Sequence, residues 1–110
     1  MREIPECDWK VFRDLHKVAL DHLCEKILAQ ARAEIERPNK SAHERYLALS
    51  KLLQRRDEDI ARGFNDFRRS TALAHIGTLH QMGLFTGEEL ERFSPETRQI
   101  IQFFSQGPGD

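Results

Sequence analysis

Residues 34–49 read "EIERPNKSAHERYLAL", and they decide the fold because one helix must end and another begin inside them. Pro38 lacks a backbone N–H and biases Arg37 away from the α region, so a helix arriving from the N-terminal side stops at about Glu36. Just beyond, "SAHE" at 41–44 is a capping box. The Ser41 hydroxyl accepts from the backbone N–H of Glu44, and the Glu44 carboxylate accepts from the N–H of Ser41. With only "RPNK" between them, two long helices must return on each other as an antiparallel hairpin.

Working outward toward the N-terminus, Pro5 or Asp8 opens the first helix. Leu15, Ala19, Leu23, Ile27, Ala31 and Ile35 recur every four residues, a ridge that drifts about 40° per step on a 3.6-residue helix and suits an inclined crossing. Trp9, Phe12 and Leu20 widen that face, so this helix should touch more than one neighbour.

In the other direction, Tyr46, Leu49, Leu53, Ile60, Phe64, Phe67, Thr71 and Ala74 keep helical spacing along the second helix. The stripe is broken where Arg56 and Asp57 fill the turn between Leu53 and Ile60. Two charges at that place either run into water or pair inside an interface with Ile60, Phe64 and Phe67, and partial burial is expected. Gly63 costs about 1 kcal/mol against alanine in a helix interior, which suits a close approach by another helix. The helix either continues or kinks near "RRST" (68–71), where Ser70 or Thr71 can cap a segment carrying Leu73, Ile76, Leu79 and Met82. Gly83 closes that segment, Thr86 with Glu89 forms a second capping box, and Ser94 followed by Pro95 starts a last helix through Ile100, Ile101, Phe103 and Phe104.

The expected architecture is all-α: a helical bundle built on an antiparallel hairpin of two long helices, with two short C-terminal helices. Residues 1–106 form one domain, and "GPGD" at 107–110 is a tail. No strand pattern, repeat or low-complexity segment competes. At 110 residues, with 39% hydrophobic and 32% charged side chains, the chain buries a core of its own and is too apolar for disorder. The net charge is −1. Residues 1–40 carry eight basic and eight acidic side chains, 41–83 seven and five, and 84–110 two and five. None is a cluster of unpaired cations, which argues against a nucleic-acid partner. Cys7 and Cys24 sit about 25 Å apart if both ride on the first helix, so they cannot bridge. Together with the absence of a cleavable leader or a long apolar window, this places the chain in the cytoplasm, away from membranes.

Three local patterns bear on function. Arg68 or Arg69 followed by His75 resembles the Arg-x(4–6)-His signature of HEPN ribonucleases, also small helical domains. The resemblance would make the arginine hold a phosphate and the histidine move a proton at a dimer cleft. "GEELERF" with "SPETRQIIQFF" fits a helix-turn-helix DNA reader, although Glu88, Glu89 and Glu91 would face phosphate and the second helix offers only Arg98, Gln99 and Gln102 among large apolar residues. "IGTLHQMGLFTGEELERF" resembles the short SHOCT-type helical hairpin, which implies an oligomerisation role.

No Glu-x-x-His pair, phosphate loop or dinucleotide fingerprint occurs, so neither a metal nor a cofactor is expected. The apolar face of the first helix, with Phe64 and Phe67, exceeds what two short helices cover. The leading expectation is therefore a non-enzymatic interaction or assembly module acting as a homodimer, with the HEPN-like ribonuclease and the DNA-binding regulator as alternatives.

Overall fold

Pro38 and the Ser41 capping box act where the sequence puts them. The computed structural model describes residues 3–106, with side chains as far as residue 103. The segment 107–110 and the side chain of Phe104 lie outside the described residues. Among the described residues five α-helices follow in order: α1 Glu6–Ile35, α2 Ala42–Phe64, α3 Ala72–Gln81, α4 Gly87–Leu90 and α5 Pro95–Gln106, with a 3₁₀ turn at Arg69–Thr71. Both capping-box bonds of Ser41 and Glu44 form, at 2.9 and 3.0 Å. Arg45 donates to the carbonyl of Ile35 at 2.8 Å, which satisfies an orphan acceptor at the end of α1 and ties the two arms together at their tip.

The molecule is elongated, 52 × 30 × 25 Å. α1 and α2 pack along their length, while α3 and α5 pair with each other against the N-terminal half of α1 and the end of α2. This creates a head with a closed core, formed by Ile4, Phe12, Leu15, Ala19, Phe64, Ala72, Ile76, Leu79, Leu84, Phe93 and Ile101. The rest of α1 and α2 projects from it as a two-helix arm. Along the α1 ridge Leu15 to Ala31 are buried, but the last member, Ile35, is half exposed because no third element reaches the tip.

α2 ends earlier than a kink at "RRST" would require. Asn65 is extended and Asp66 takes a left-handed φ of 60°, so the chain breaks before Phe67 and not at 69–71. Gly63 explains the position. A Cβ there would lie 2.8 Å from Leu79 Cδ2, so α3 crosses α2 in near contact with its backbone, and the chain must turn back at once. Thr71 stands at the N-cap of α3 but makes no capping bond. Its hydroxyl faces the carbonyls of Asp66 and Arg68, at 2.9 and 3.1 Å, and so braces the reversal instead.

The α3 terminus follows its sequence signals. Gly83 has φ 73°, and Leu84 donates to the Leu79 carbonyl at 3.1 Å. Lys26 from α1 donates to the carbonyls of Met82 and Gly83, and His22 Nδ1 lies 3.1 Å from that of Leu84. Thr86 and Glu89 complete the second capping box at 2.8 and 3.1 Å.

Candidate interaction surface

A 100° step per residue fixes which side of each arm faces the other. On α2 the row Arg45, Ala48, Leu52, Arg56, Asp59 and Gly63 points at α1, and its members are buried or half-buried. The apolar stripe Tyr46, Leu49, Leu53 lies a quarter turn away. On α1, Leu28 and Ile35 lie a quarter turn from the buried row Leu23, Ile27, Ala31, and on the same side as the α2 stripe. The shallow groove lined by Ile35, Ala42, Arg45, Tyr46 and Leu49 confirms the common side. Leu28 is 68% exposed, Tyr46 66%, Ile35 49% and Leu53 42%. These four, with half-buried Leu49 and Cys24, make one apolar face on the projecting arm.

The opposite side of the arm is richer in charge, although Leu47 is exposed there. There a groove runs between Gln30 and Glu34 of α1, with Arg37 just beyond its end, and Lys51, Arg55 and Arg56 of α2. Charge is also divided lengthwise. Residues 30–56 carry seven basic and three acidic side chains, while the rest of the chain carries ten and fifteen. Asp21 and Asp57, both exposed, border the apolar face on its head side. Arg37 and Lys40 stand at the tip.

The residues expected at an interface separate. Arg56 does turn toward α1 and is partly buried, but its partner is Asp59, one turn on, and not Asp57. Positions three apart share a helix face, whereas adjacent positions diverge by about 100°. Asp57 is exposed beside Leu53. Ile60 is half-buried at the edge of the core, while Phe64 is buried inside the chain's own head. Phe67 lies in the break after α2 and stacks on His16 with ring centroids 3.9 Å apart, against Trp9 at 5.0 Å and Phe12 at 5.4 Å. Both phenylalanines are thus covered by α1, while Leu28, Ile35, Tyr46 and Leu53 lie exposed further out on the arm.

The residues of the Arg-x-His pattern each have partners within the chain. Arg69 donates twice to the Ile4 carbonyl, at 3.0 and 3.2 Å, fastening the N-terminal segment to the head. Arg68 is exposed and pairs with Asp66 at 2.7 Å. Their hydrogen bond raises the Arg68 pKa and lowers that of Asp66. His75 is half-buried, its Nδ1 3.4 Å from Thr71 Oγ1. No cluster of three or more His, Cys, Asp or Glu among the described residues could hold a metal ion.

In the proposed DNA-reading unit, α4 is four residues long and α5 turns Thr97 and Ile101 into the core. Arg98 is half-buried and borders a pocket with His80 and Leu90.

Two buried polar centres carry no local motif. Asp8 is 1% exposed and accepts from the Ser94 N–H at 2.7 Å, the Ser94 hydroxyl at 2.7 Å and the Thr97 hydroxyl at 2.6 Å. It locks the start of α1 to the start of α5. His16 is enclosed by Phe12, Phe64 and Phe67, with Nε2 buried and unpartnered. Burial first, and then the nearby charge of His75, lowers its pKa.

No protein family, curated protein or solved structure matches this chain.

Proposed function

We propose that this protein is a non-enzymatic assembly module that acts as a homodimer, with the apolar face of its arm packed on the same face of a second copy. The observation that carries this reading is the unpartnered row of Leu28, Ile35, Tyr46 and Leu53 on one side of a two-helix arm. A bare hairpin of this kind buries that row most completely against its own equivalent, as a four-helix bundle.

The RNA-cleaving reading has less behind it, since Arg69 is committed to a backbone carbonyl and Arg68 to Asp66. No helix among the described residues is long and apolar enough to cross a membrane. Cys7 and Cys24 are both free, which fits a cytoplasmic setting.

Sedimentation equilibrium tests the proposal. The wild type should give a dimer that dissociates on dilution. Leu28→Lys and Leu53→Lys should each weaken it by roughly 30-fold or more, because each places a charge in a desolvated face. Helical circular dichroism should be unchanged. A wild type that stays monomeric into the millimolar range refutes the reading.

A further inference from the structure

The side of the arm opposite the apolar face carries three grooves that join end to end. The groove at the tip shares Arg37, Ala48 and Lys51 with the middle one, and the middle one shares Gln30 and Arg56 with the third. Gln81 and Met82, at the end of α3, border the third groove at the head. Together they form one trough along α1 and α2. We infer that this trough is a docking site for an acidic helix of a second protein, separate from the face assigned to the homodimer.

Eight basic side chains and three acidic ones line the trough, in a chain whose net charge is −1. The three acids are already engaged: Glu44 in the capping box of α2, Glu34 with Arg37, and Asp59 with Arg56 and Arg62. At the tip the two signs balance, so the excess lies further along. There Lys51, Arg55, Arg56 and Arg62 face Asp59, and exposed Glu58 on the outer rim offsets only one of them. Lys51 and Arg55 pair with no acid among the described residues, and Nε of Arg56 is buried without an acceptor. Like charges one turn apart on a helix repel, and an anion bound between them relieves the repulsion.

The lining decides what form the anion takes. Ala33, Ala48 and Leu52 line the same trough, and Leu47, 43% exposed, stands at its tip end. A phosphate chain gains nothing from these apolar side chains, and no aromatic ring among the described residues lines the trough for a base to stack on. An extended peptide would find no backbone partner, because the N–H and C=O groups of α1 and α2 are bonded along their own helices. A helix satisfies its own backbone and can set apolar side chains on Ala33, Ala48 and Leu47. Its carboxylates at positions four apart fall about 6 Å from each other, the spacing of Lys51 and Arg55 on α2. From Arg45 to Arg62 the trough runs about 25 Å, which a helix of about 17 residues spans.

Two synthetic helical peptides of one composition test the inference by calorimetric titration and amide chemical shifts. In the first, Glu recurs every four residues on one face beside Ala and Leu; in the second, the same residues are scrambled. The first should bind with a Kd on the order of 10 μM, weakening as salt rises, and the second at least tenfold more weakly. Shifts should move at Ala33, Ala48 and Lys51 and stay in place at Leu28, Tyr46 and Leu53. Lys51→Glu with Arg55→Glu should weaken binding of the first peptide tenfold or more while helical circular dichroism is unchanged. Because the two faces are separate, Leu28→Lys should bind the peptide as tightly as the wild type does, whether or not the wild type is a dimer. The inference is overturned by absence of binding at millimolar peptide, by equal affinity for the scrambled peptide, or by indifference to the double charge reversal. An oligouridine of similar length that binds more tightly than the peptide also overturns it, in favour of a nucleic acid.

Discussion

Asp8 ties the start of α1 to the start of α5. Its carboxylate is buried and takes three hydrogen bonds from Ser94 and Thr97, so removing it strands two hydroxyls and a backbone N–H in the interior. Asp8→Ala should lower stability by about 2–4 kcal/mol in urea melts, far above the effect of an exposed carboxylate. A loss under about 0.5 kcal/mol would mean that α5 holds its place without this contact. His16 makes the second residue-scale prediction. Its folded pKa lies below its ordinary value of 6.5, so between the two the unfolded chain binds a proton that the folded one does not. Stability therefore rises with pH through that window and falls as pH drops below about 6.5. His16→Phe should reduce this acid loss, read as the difference in urea midpoint between pH 7.5 and pH 5. An equal loss in both proteins would remove His16 as its source.

At the scale of elements, the crossing of α3 over α2 is set by one missing side chain. Gly63→Ala improves helix propensity by about 1 kcal/mol but forces a methyl against Leu79, itself fully buried and without room to yield. The net effect should be a loss of about 1 kcal/mol. Gly87, where an added Cβ meets nothing within 4 Å, serves as the control, and Gly87→Ala should be neutral or slightly stabilising. Thermal melts that rank the two in the opposite order would show that α3 does not approach α2 this closely in solution. The break after Phe64 belongs to the same crossing: the apolar stripe runs on through Phe67 and Thr71, yet the helix stops because a straight continuation would carry Phe67 away from Trp9, Phe12 and His16.

Taken whole, the molecule joins a closed head to an arm covered on one side by nothing of its own. Local opening is easiest where apolar contacts are fewest. Hydrogen exchange at micromolar concentration should therefore be faster in 28–35 and 46–53 than in 12–19 and 72–79. Raising the concentration should slow exchange in the arm segments alone, since mass action on the proposed dimer protects only what it covers. Protection that is uniform along the chain and independent of concentration would argue for an arm stable by itself.

The helix ends were legible in the sequence because each is a local matter. Pro38, the two capping boxes, the left-handed Gly83 and Ser94 before Pro95 act within a few residues of themselves, and the all-α hairpin with short C-terminal helices follows from them. Asp8 was legible only as a possible start of α1, since its partners lie 86 and 89 residues away and no spacing rule links them. The stripe on α2 was legible too, but not its bearing. Periodicity fixes which residues share a face, whereas the direction of that face is set by how neighbours pack. Here Gly63 under Leu79 fixes the approach of α3, and α2 packs with Leu52 buried. Leu53 and Tyr46 are left looking outward, and only the tertiary structure decides that.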